Sequence, residues 1–258
     1  MYHFDWAIFW QYLWPGTALQ NPLIRYGLIA TILCSILAQA VGVLLGLAAA
    51  LGKMSKFALF RWIADFYIWW FRGTPLLVQM VLLYYGLGVT HIFDFPDIHI
   101  IGITIIGAIQ AGTLALAINE GAYMAEIVRA GIEAIDPGQM EAAKSLGMTY
   151  GLAMRRIVLP QAAKVIIPPL GNEFNNMMKT TSLMTIISAT ELFFGYYQVN
   201  GRLFKPFELF LDASFYYLAM TTVWTIVQSK IEASLGERKQ VQAPSAFQRI
   251  FRSSPMAH

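Results

Sequence analysis

Residues 133–160 read EAIDPGQMEAAKSLGMTYGLAMRRIVLP and separate two long apolar segments. The run is too polar to lie in lipid, and it carries the signals of a helix. Asp136 can cap a helix, Pro137 suits the first helical position and Gln139 occupies the reciprocal capping-box position. Gly147 is the residue best able to adopt the left-handed conformation that ends a helix. The pattern predicts a short helix that ends at Gly147.

A second helix is predicted in the same run. Thr149 can cap it, and the helix carries Arg155 and Arg156. Pro160 has no N–H with which to continue an upstream hydrogen-bond ladder. Taken alone, this helical hairpin indicates no more than a connection between two membrane spans.

The composition places the chain among membrane proteins. It has 258 residues, of which 57% are hydrophobic and 13% charged, and its mean hydropathy is +0.54. No run alternates as the strands of a membrane barrel do, so helices are the expected way to satisfy the backbone in lipid. The sequence therefore predicts an all-α membrane protein. Cys34 is the single cysteine and is interpreted as a small packing residue.

Apolar segments predict five transmembrane helices, each long enough to cross about 30 Å of hydrocarbon. Their approximate limits are 23–51, 62–87, 101–129, 161–192 and 213–235. Residues 1–22 are predicted to form an aromatic segment at the outer interface, and residues 236–258 a basic cytoplasmic tail. No cleavable signal is evident, so the first span is expected to remain as an anchor.

Basic residues predict the orientation of these spans. One side holds Lys53, Lys56, Arg61, Arg129, Lys144, Arg155, Arg156, Lys164 and Lys230 as well as the tail. The other side holds only Arg25, Arg202 and Lys205. The positive-inside rule therefore predicts an outer N-terminus, a cytoplasmic C-terminus and a cytoplasmic position for residues 133–160.

Two features of the first two spans are interpreted as structural. Gly42 and Gly46 lie in a stripe of small residues, repeated at every fourth position, that lets another helix approach closely. Pro75 interrupts the second span, and Arg72 is costly in lipid, so this segment is expected to face protein or water. For Arg72, a structural role by snorkelling or ion pairing stands beside substrate contact.

Polar residues within the later spans predict a cavity. Glu120 lies deep in the third span and needs a partner or water. The fourth span carries polar side chains at steps of three and four, namely Asn172, Asn175, Asn176, Lys179 and Ser182. A cavity lining is favoured for this face, and a hydrogen-bonded seam between helices is the alternative.

Motifs of several catalytic classes are absent from the sequence. No G-x-x-x-x-G-K-[ST] loop is present, so the chain is not its own ATPase of that kind. Neither H-E-x-x-H nor G-x-S-x-G occurs, and the histidines lie outside the predicted spans. Neither an enzyme nor a metal site is predicted, and the energy for any transport must come from another chain or from an ion gradient.

Two motifs carry a resemblance to a known family. The hairpin resembles the EAA loop of ABC importer permeases, with every fixed position present: Glu141, Ala142, Ala143, Gly147, Ile157, Leu159 and Pro160. In the second span, the run RGTPLLVQ from Arg72 to Gln79 is similar to the polar amino acid uptake branch, the histidine, glutamine and arginine type of permease. Residues 133–160 are called the EAA hairpin below.

The resemblance implies a type I permease bundle of five transmembrane helices with a cytoplasmic coupling-helix loop. It implies a bacterial cytoplasmic (inner) membrane, a second permease chain, an ABC ATPase dimer on the EAA hairpin and an extracytoplasmic solute-binding protein. It also implies that the partner ATPase binds ATP and Mg, with no cofactor in this chain and no nucleic acid. The residues of the motif in the EAA hairpin would couple the ATPase to the spans.

The expected function is an ATP-driven import path for a polar amino acid. The residues predicted to line that path are Thr74, Gln79, Glu120, Tyr123, Asn172, Asn176 and Lys179. The alternative is a secondary transporter or channel driven by an ion gradient, in which the intramembrane acids would be ion sites.

Overall fold

The chain folds mainly into helices. A computed structural model describes residues 3–100 and 103–235, so the predicted basic tail, 236–258, lies outside the described residues. The α-helices are α1 (Trp6–Leu13), α2 (Pro15–Ala18), α3 (Pro22–Lys53), α4 (Ala58–Gly73), α5 (Leu76–Val81), α6 (Leu87–Val89), α7 (Gly107–Glu133), α8 (Pro137–Ser145), α9 (Tyr150–Ala153), α10 (Leu159–Thr180), α11 (Leu192–Leu203) and α12 (Pro206–Ser234). Two π-helical turns, Leu82–Gly86 and Met154–Val158, and a 3₁₀ segment, Thr181–Ile187, connect some of them.

The centre of the bundle is the packing of α3 against α7. Both Gly42 and Gly46 are buried on the α7 side of α3. A Cβ at Gly42 would lie 2.7 Å from the Cγ of Glu120, and one at Gly46 would overlap the Cβ of Met124. The two helices can therefore approach this closely only because these positions lack side chains.

The predicted second span, 62–87, is not one straight helix. Helix α4 ends at Gly73, and the helical path from Leu76 to Val89 leaves it at an angle of 105°. The break lies at Pro75, which takes an extended conformation as the N-cap of α5. Proline cannot donate to the ladder and disfavours the α conformation of the residue before it, so Thr74 is also extended.

The predicted third span, 101–129, begins later than expected. A short antiparallel hairpin precedes it, formed by β1 (Ile98–Ile100) and β2 (Ile103–Ile105), with Ile98 paired to Ile105. Helix α7 starts only at Gly107, whose N–H donates to a carboxylate oxygen of Asp97 at 2.8 Å.

The fourth span and the following loop also differ from the prediction. Helix α10 ends at Thr180, and the 3₁₀ segment Thr181–Ile187 follows it and is capped by Ser188, which has a positive φ of 58°. The connection between the predicted fourth and fifth spans, residues 193–212, is largely helical, because α11 and the start of α12 occupy it. These two helices form an apolar cluster with the start of α3, centred on Ile24, Tyr196 and Leu209.

By length and apolar composition, α3 and α12 qualify as membrane spans, and the bent pair from Ala58 to Val89 is a third if it counts as one span. The other long helices of the described chain, α7 and α10, do not qualify by the same measure of length and apolar composition. Within the predicted outer interfacial segment, α1 packs on α12, and the N–H of Asp5 donates to Glu208 at 2.7 Å.

Candidate functional site: the EAA hairpin and a polar cavity

Local signals build the first helix of the EAA hairpin. Asp136 accepts a hydrogen bond from the N–H of Gly138 at 2.7 Å, and Pro137 begins α8. Gln139 does not close a capping box: its side-chain oxygen accepts from Gln161 at 3.4 Å. Gly147 ends the helix with a φ of +78°, a conformation that a residue with a Cβ adopts only at a cost.

The second helix of the hairpin continues into the membrane bundle. Thr149 caps α9 and accepts from the N–H of Leu152 at 3.4 Å. The sequence indicated an interruption at Pro160, but Pro160 lies in the first turn of α10, directly after the π-helical turn Met154–Val158. The wider turn occurs where proline withholds a donor from the ladder. A continuous helical path therefore joins the hairpin to α10.

The motif residues of the hairpin divide into a packed set and an exposed set. Ala143 is buried, with 1% of its surface exposed, and Ile157 is half-buried. Exposed motif residues are Glu141, Ala142, Gly147, Leu159 and Pro160. Beside them Leu146 is 82% exposed and Tyr150 is 61% exposed. The turn thus presents apolar side chains next to a carboxylate, a surface of the kind that docks another protein.

A polar cavity of about 580 Å³ lies between α5, α7, α10 and the 3₁₀ segment. Its polar lining consists of Asn119, Glu120, Tyr123, Glu173, Asn176, Lys179 and Thr180. Its apolar lining consists of Leu76, Leu116, Met177 and Leu183. Two carboxyl groups and one ammonium group therefore face a single space within the bundle.

Four of the seven predicted path residues line this cavity: Glu120, Tyr123, Asn176 and Lys179. Glu120 is 6% exposed and accepts a hydrogen bond from Gln39 on α3 at 3.1 Å, which supplies the partner that a buried carboxyl group needs. Because Glu120 also lies against Gly42, the close contact between α3 and α7 fixes its position.

The structure places Thr74 and Gln79 elsewhere, at the helix break. The side-chain nitrogen of Gln79 lies 2.9 Å from the carbonyl oxygen of Phe71 and 2.8 Å from the hydroxyl of Thr74. Asn119 donates to the same carbonyl of Phe71 at 2.9 Å and to Gln79 at 3.0 Å. These amides satisfy backbone oxygens that the broken helix leaves without partners. Both Thr74 and Gln79 line a separate, mostly apolar cavity of about 270 Å³.

Asn172 also lies outside the polar cavity. Its side-chain oxygen accepts from Gln228 of α12 at 3.1 Å. Gln228 reaches the carbonyl of Pro168 at 3.2 Å as well, and Trp224 donates to the carbonyl of Gly171 at 2.8 Å. For Asn172, the structure therefore matches the alternative of a hydrogen-bonded seam, whereas Asn176 and Lys179 face the cavity.

Residues 42–236 match the family of binding-protein-dependent transport system inner membrane components. The chain belongs to this family. It is thus a permease, the membrane subunit of an ABC importer, and the resemblance noted in the EAA hairpin is confirmed. Membership of this family favours the ATP-driven importer over the ion-gradient transporter.

Individual relatives cover most of this permease. The arginine transport system permease protein ArtQ of Bacillus subtilis is 36% identical over 85% of this chain and 95% of ArtQ. The arginine transport system permease protein ArgU of Corynebacterium glutamicum is 39% identical over 78% of this chain and 65% of ArgU. A crystal structure of an amino acid ABC transporter with histidines contains a chain that is 41% identical, with a TM-score of 0.75, over 85% of this chain and 97% of that chain.

In the permease, Arg72 forms a cation–π contact rather than an ion pair within the described residues. Its guanidinium carbon lies 5.2 Å from the ring centre of Tyr123, which lines the polar cavity. Pro75 determines the break that turns the chain toward this cavity. Among residues 3–100 and 103–235, no group of three or more His, Cys, Asp or Glu side chains is placed to hold a metal ion.

Two residues were not predicted from the sequence: Glu173, which lines the cavity, and Gln39, which donates a hydrogen bond to Glu120. A signal for Glu173 was present, since a carboxyl group in the middle of a membrane helix indicates a functional position by default. It also lies three residues before Asn176 and seven before Thr180, on one helical face. Gln39 gave no comparable signal, because its role depends on which residue of α7 lies opposite it.

Proposed function

We propose that this permease carries a polar amino acid with a cationic side chain from an extracytoplasmic binding protein into the cell. The observation that carries the proposal is the pair of carboxyl groups, Glu120 and Glu173, facing one ammonium group, Lys179, across a single cavity. An amino acid of this class presents one carboxylate and two cationic groups, so its charges complement those of the cavity. Relatives named for arginine transport support the same class.

An ABC ATPase dimer supplies the energy in this proposal and binds the ATP and Mg, whereas this chain binds neither. It docks on the exposed surface of the EAA hairpin around Glu141 and Leu146, and the motif residues there couple it to the spans. The exposed apolar side chains and the continuous helical path into α10 support this assignment. A second permease chain, identical or paralogous, completes the translocation path.

The charge distribution supports an orientation with the N-terminus outside and the C-terminus in the cytoplasm. Lys144, Arg155 and Arg156 lie on the EAA hairpin, and Lys53 and Arg129 lie at the hairpin end of the bundle. Glu126 joins these last two cations, at 2.8 Å from Lys53 and 2.7 Å from Arg129. A basic end of this kind faces the cytoplasm.

Uptake by the assembled complex tests the proposal. The permease, its co-purified ATPase and its binding protein are reconstituted in liposomes, and uptake of labelled arginine, glutamine and glutamate is measured with and without ATP. ATP-dependent uptake of arginine in preference to the other two is expected. Equal uptake without nucleotide would overturn the ATP-driven mechanism, and a preference for glutamate would overturn the proposed charge class.

Glu173→Gln sharpens the test of the cavity. Loss of one carboxylate is expected to raise KM for arginine by about tenfold, because hydrogen bonds to charged groups are the stronger ones. KM for glutamine should change little. The matched control is Asn172→Ala, since Asn172 is the adjacent residue but its side chain turns toward Gln228. If both variants change KM alike, Glu173 has no specific role.

A further inference from the structure

Glu191 is a fully buried carboxylate at which several separate parts of the bundle meet. Its exposed surface is 0%. One oxygen accepts from the N–H of Phe194 at 2.6 Å and the hydroxyl of Thr185 at 2.8 Å. The other accepts from the N–H of Phe193 at 2.9 Å and the hydroxyl of Tyr217 at 2.8 Å. The carboxylate therefore joins the N-terminus of α11, the 3₁₀ segment and α12.

Helix α3 also reaches this carboxylate. The hydroxyl of Thr31 lies 3.5 Å from Glu191 and accepts from the N–H of Leu192 at 3.1 Å. A Cβ at Gly27 would lie 2.5 Å from the carbonyl oxygen of Glu191, so the backbone here is pressed against α3. An ionised carboxylate accepts hydrogen bonds only, and donors surround both of its oxygens.

Residues shortly before Glu191 in the chain line the polar cavity. Thr180 and Leu183 line the cavity, and Leu183 belongs to the same 3₁₀ segment as Thr185, which donates to Glu191. The residue that caps this segment, Ser188, lies in the left-handed region of φ and ψ. A residue other than glycine keeps that conformation only where surrounding contacts stabilise it. The hydrogen bond from Thr185 to Glu191 helps to fix this segment.

We infer that Glu191 is a positioning residue for transport: it ties the cavity wall formed by Thr180 and Leu183 to α3 and α12. The inference rests on the proposed function, in that this cavity is taken to hold the substrate. Glu191 touches no substrate itself. It fixes the wall of the cavity, and a shift of α12 relative to α3 would move that wall with it.

Each oxygen of Glu191 faces a backbone N–H, and this predicts how Glu191→Gln behaves. Whichever way the amide is turned, its NH₂ group lies against one of these two N–H groups, which cannot rotate away as a hydroxyl can. The variant is expected to insert but to lose the fixed position of α11 and of the 3₁₀ segment. In the reconstituted complex it should raise KM for arginine by about tenfold, with the maximal rate per inserted permease nearly kept.

Two neighbouring tyrosines provide a milder variant and its matched control. Tyr217→Phe removes one hydrogen bond to Glu191 and should raise KM by about threefold. Tyr216→Phe should leave KM unchanged, because the hydroxyl of Tyr216 has no hydrogen-bond partner in the described part of the chain. If Glu191→Gln and Tyr217→Phe lower only the amount of inserted permease and leave KM unchanged, Glu191 merely stabilises the fold and the inference is wrong.

A second readout does not depend on transport. In a Cys34→Ala background, a Leu183→Cys side chain lines the cavity, and its rate of alkylation by a hydrophilic reagent reports the position of the wall. Tyr217→Phe should change this rate at least about twofold and Tyr216→Phe should not, in keeping with the loss of one hydrogen bond. Native complex without saturable arginine uptake would overturn the proposed function. An alkylation rate unaffected by Tyr217→Phe would overturn the positioning role on its own.

Discussion

The EAA hairpin exposes Glu141, Leu146 and Tyr150 to solvent, whereas the bundle buries Asn119 and Glu120 between helices. The hairpin is held by caps and turns within a few residues of one another. The bundle is held by contacts between residues far apart in the chain, such as Gln39 with Glu120. A substitution on the hairpin surface should therefore change what binds the permease, and one at a packed contact between helices of the bundle should change whether the permease folds.

Glu141→Lys is expected to have the largest effect on transport and almost none on folding. Charge reversal on the exposed surface of α8 should prevent docking of the ATPase and reduce uptake to background. The measurements are ATPase co-purification, uptake, and the amount of permease in the membrane. Glu141→Gln, which keeps the size of the side chain, should fall between Glu141→Lys and the native protein. Normal uptake by Glu141→Lys would remove the docking role from this surface.

Gly46→Ala should act in the opposite way to Glu141→Lys, because it should destabilise the fold itself. The added methyl group would overlap Met124, so α3 and α7 must separate, at a cost of about 3 kcal/mol. Gly52→Ala on the same helix is the matched control, because its Cβ would meet its nearest neighbours at 3.4 Å. Thermal unfolding in detergent measures both variants. Equal melting temperatures would mean that the glycine is not required for the helix contact.

Gln79→Leu separates a structural role from a role in the path. Loss of the Gln79 amide leaves the carbonyl of Thr74 and the amide of Asn119 each without one partner. The free energy of unfolding should therefore fall by about 2 kcal/mol. Stability is expected to fall while KM of the remaining folded permease stays the same. A raised KM at unchanged stability would instead restore Gln79 to the substrate path.

Gly147→Ala should have the smallest effect on stability. No atom lies within 4 Å of the added Cβ, so the cost comes only from the φ of +78° and should be about 1 kcal/mol. Gly147→Asn should cost less, because asparagine tolerates the left-handed region better than alanine. Hydrogen exchange of the amides in α8 and α9 measures both. Equal protection in the two variants would show that backbone conformation does not limit this turn.

The sequence predicted the EAA hairpin well because its signals are local. Asp136, Pro137, Gly147 and Thr149 each act on residues within about one turn, and the structure uses all four as predicted. The exception is Gln139, which bonds to Gln161 across the hairpin. That contact depends on how two helices pack, which the cap pattern does not contain.

The limits of the spans were harder to predict, because tertiary contacts decide them. Pro75 marked a break, but the 105° bend depends on Gln79 and Asn119 supplying hydrogen bonds to the exposed carbonyls. The start of α11 depends on Glu191, its N-cap, whose other partners come from helices far apart in the chain. Apolar composition alone shows neither effect.

Tertiary contacts also decided which of the predicted path residues line the polar cavity and which do not. Glu120, Asn176 and Lys179 were found because charged and amide groups in a membrane helix indicate a cavity. Thr74, Gln79 and Asn172 carried the same polar signal, but they hydrogen-bond the broken helix and the seam with α12. Polarity in a membrane segment thus identifies residues that need partners, and only the packing shows whether the partner is protein or an open cavity.

An uninterrupted helical path runs from Tyr150 to Thr180, so a movement of the EAA hairpin is transmitted along it to the cavity. From Tyr150 to Glu173 the path is about 35 Å long at 1.5 Å per residue. A rotation of one degree about its Tyr150 end would displace the Cα of Glu173 sideways by about 0.6 Å, as follows from that length. A tilt of a few degrees at the EAA hairpin is therefore large enough to break or make a hydrogen bond at the cavity.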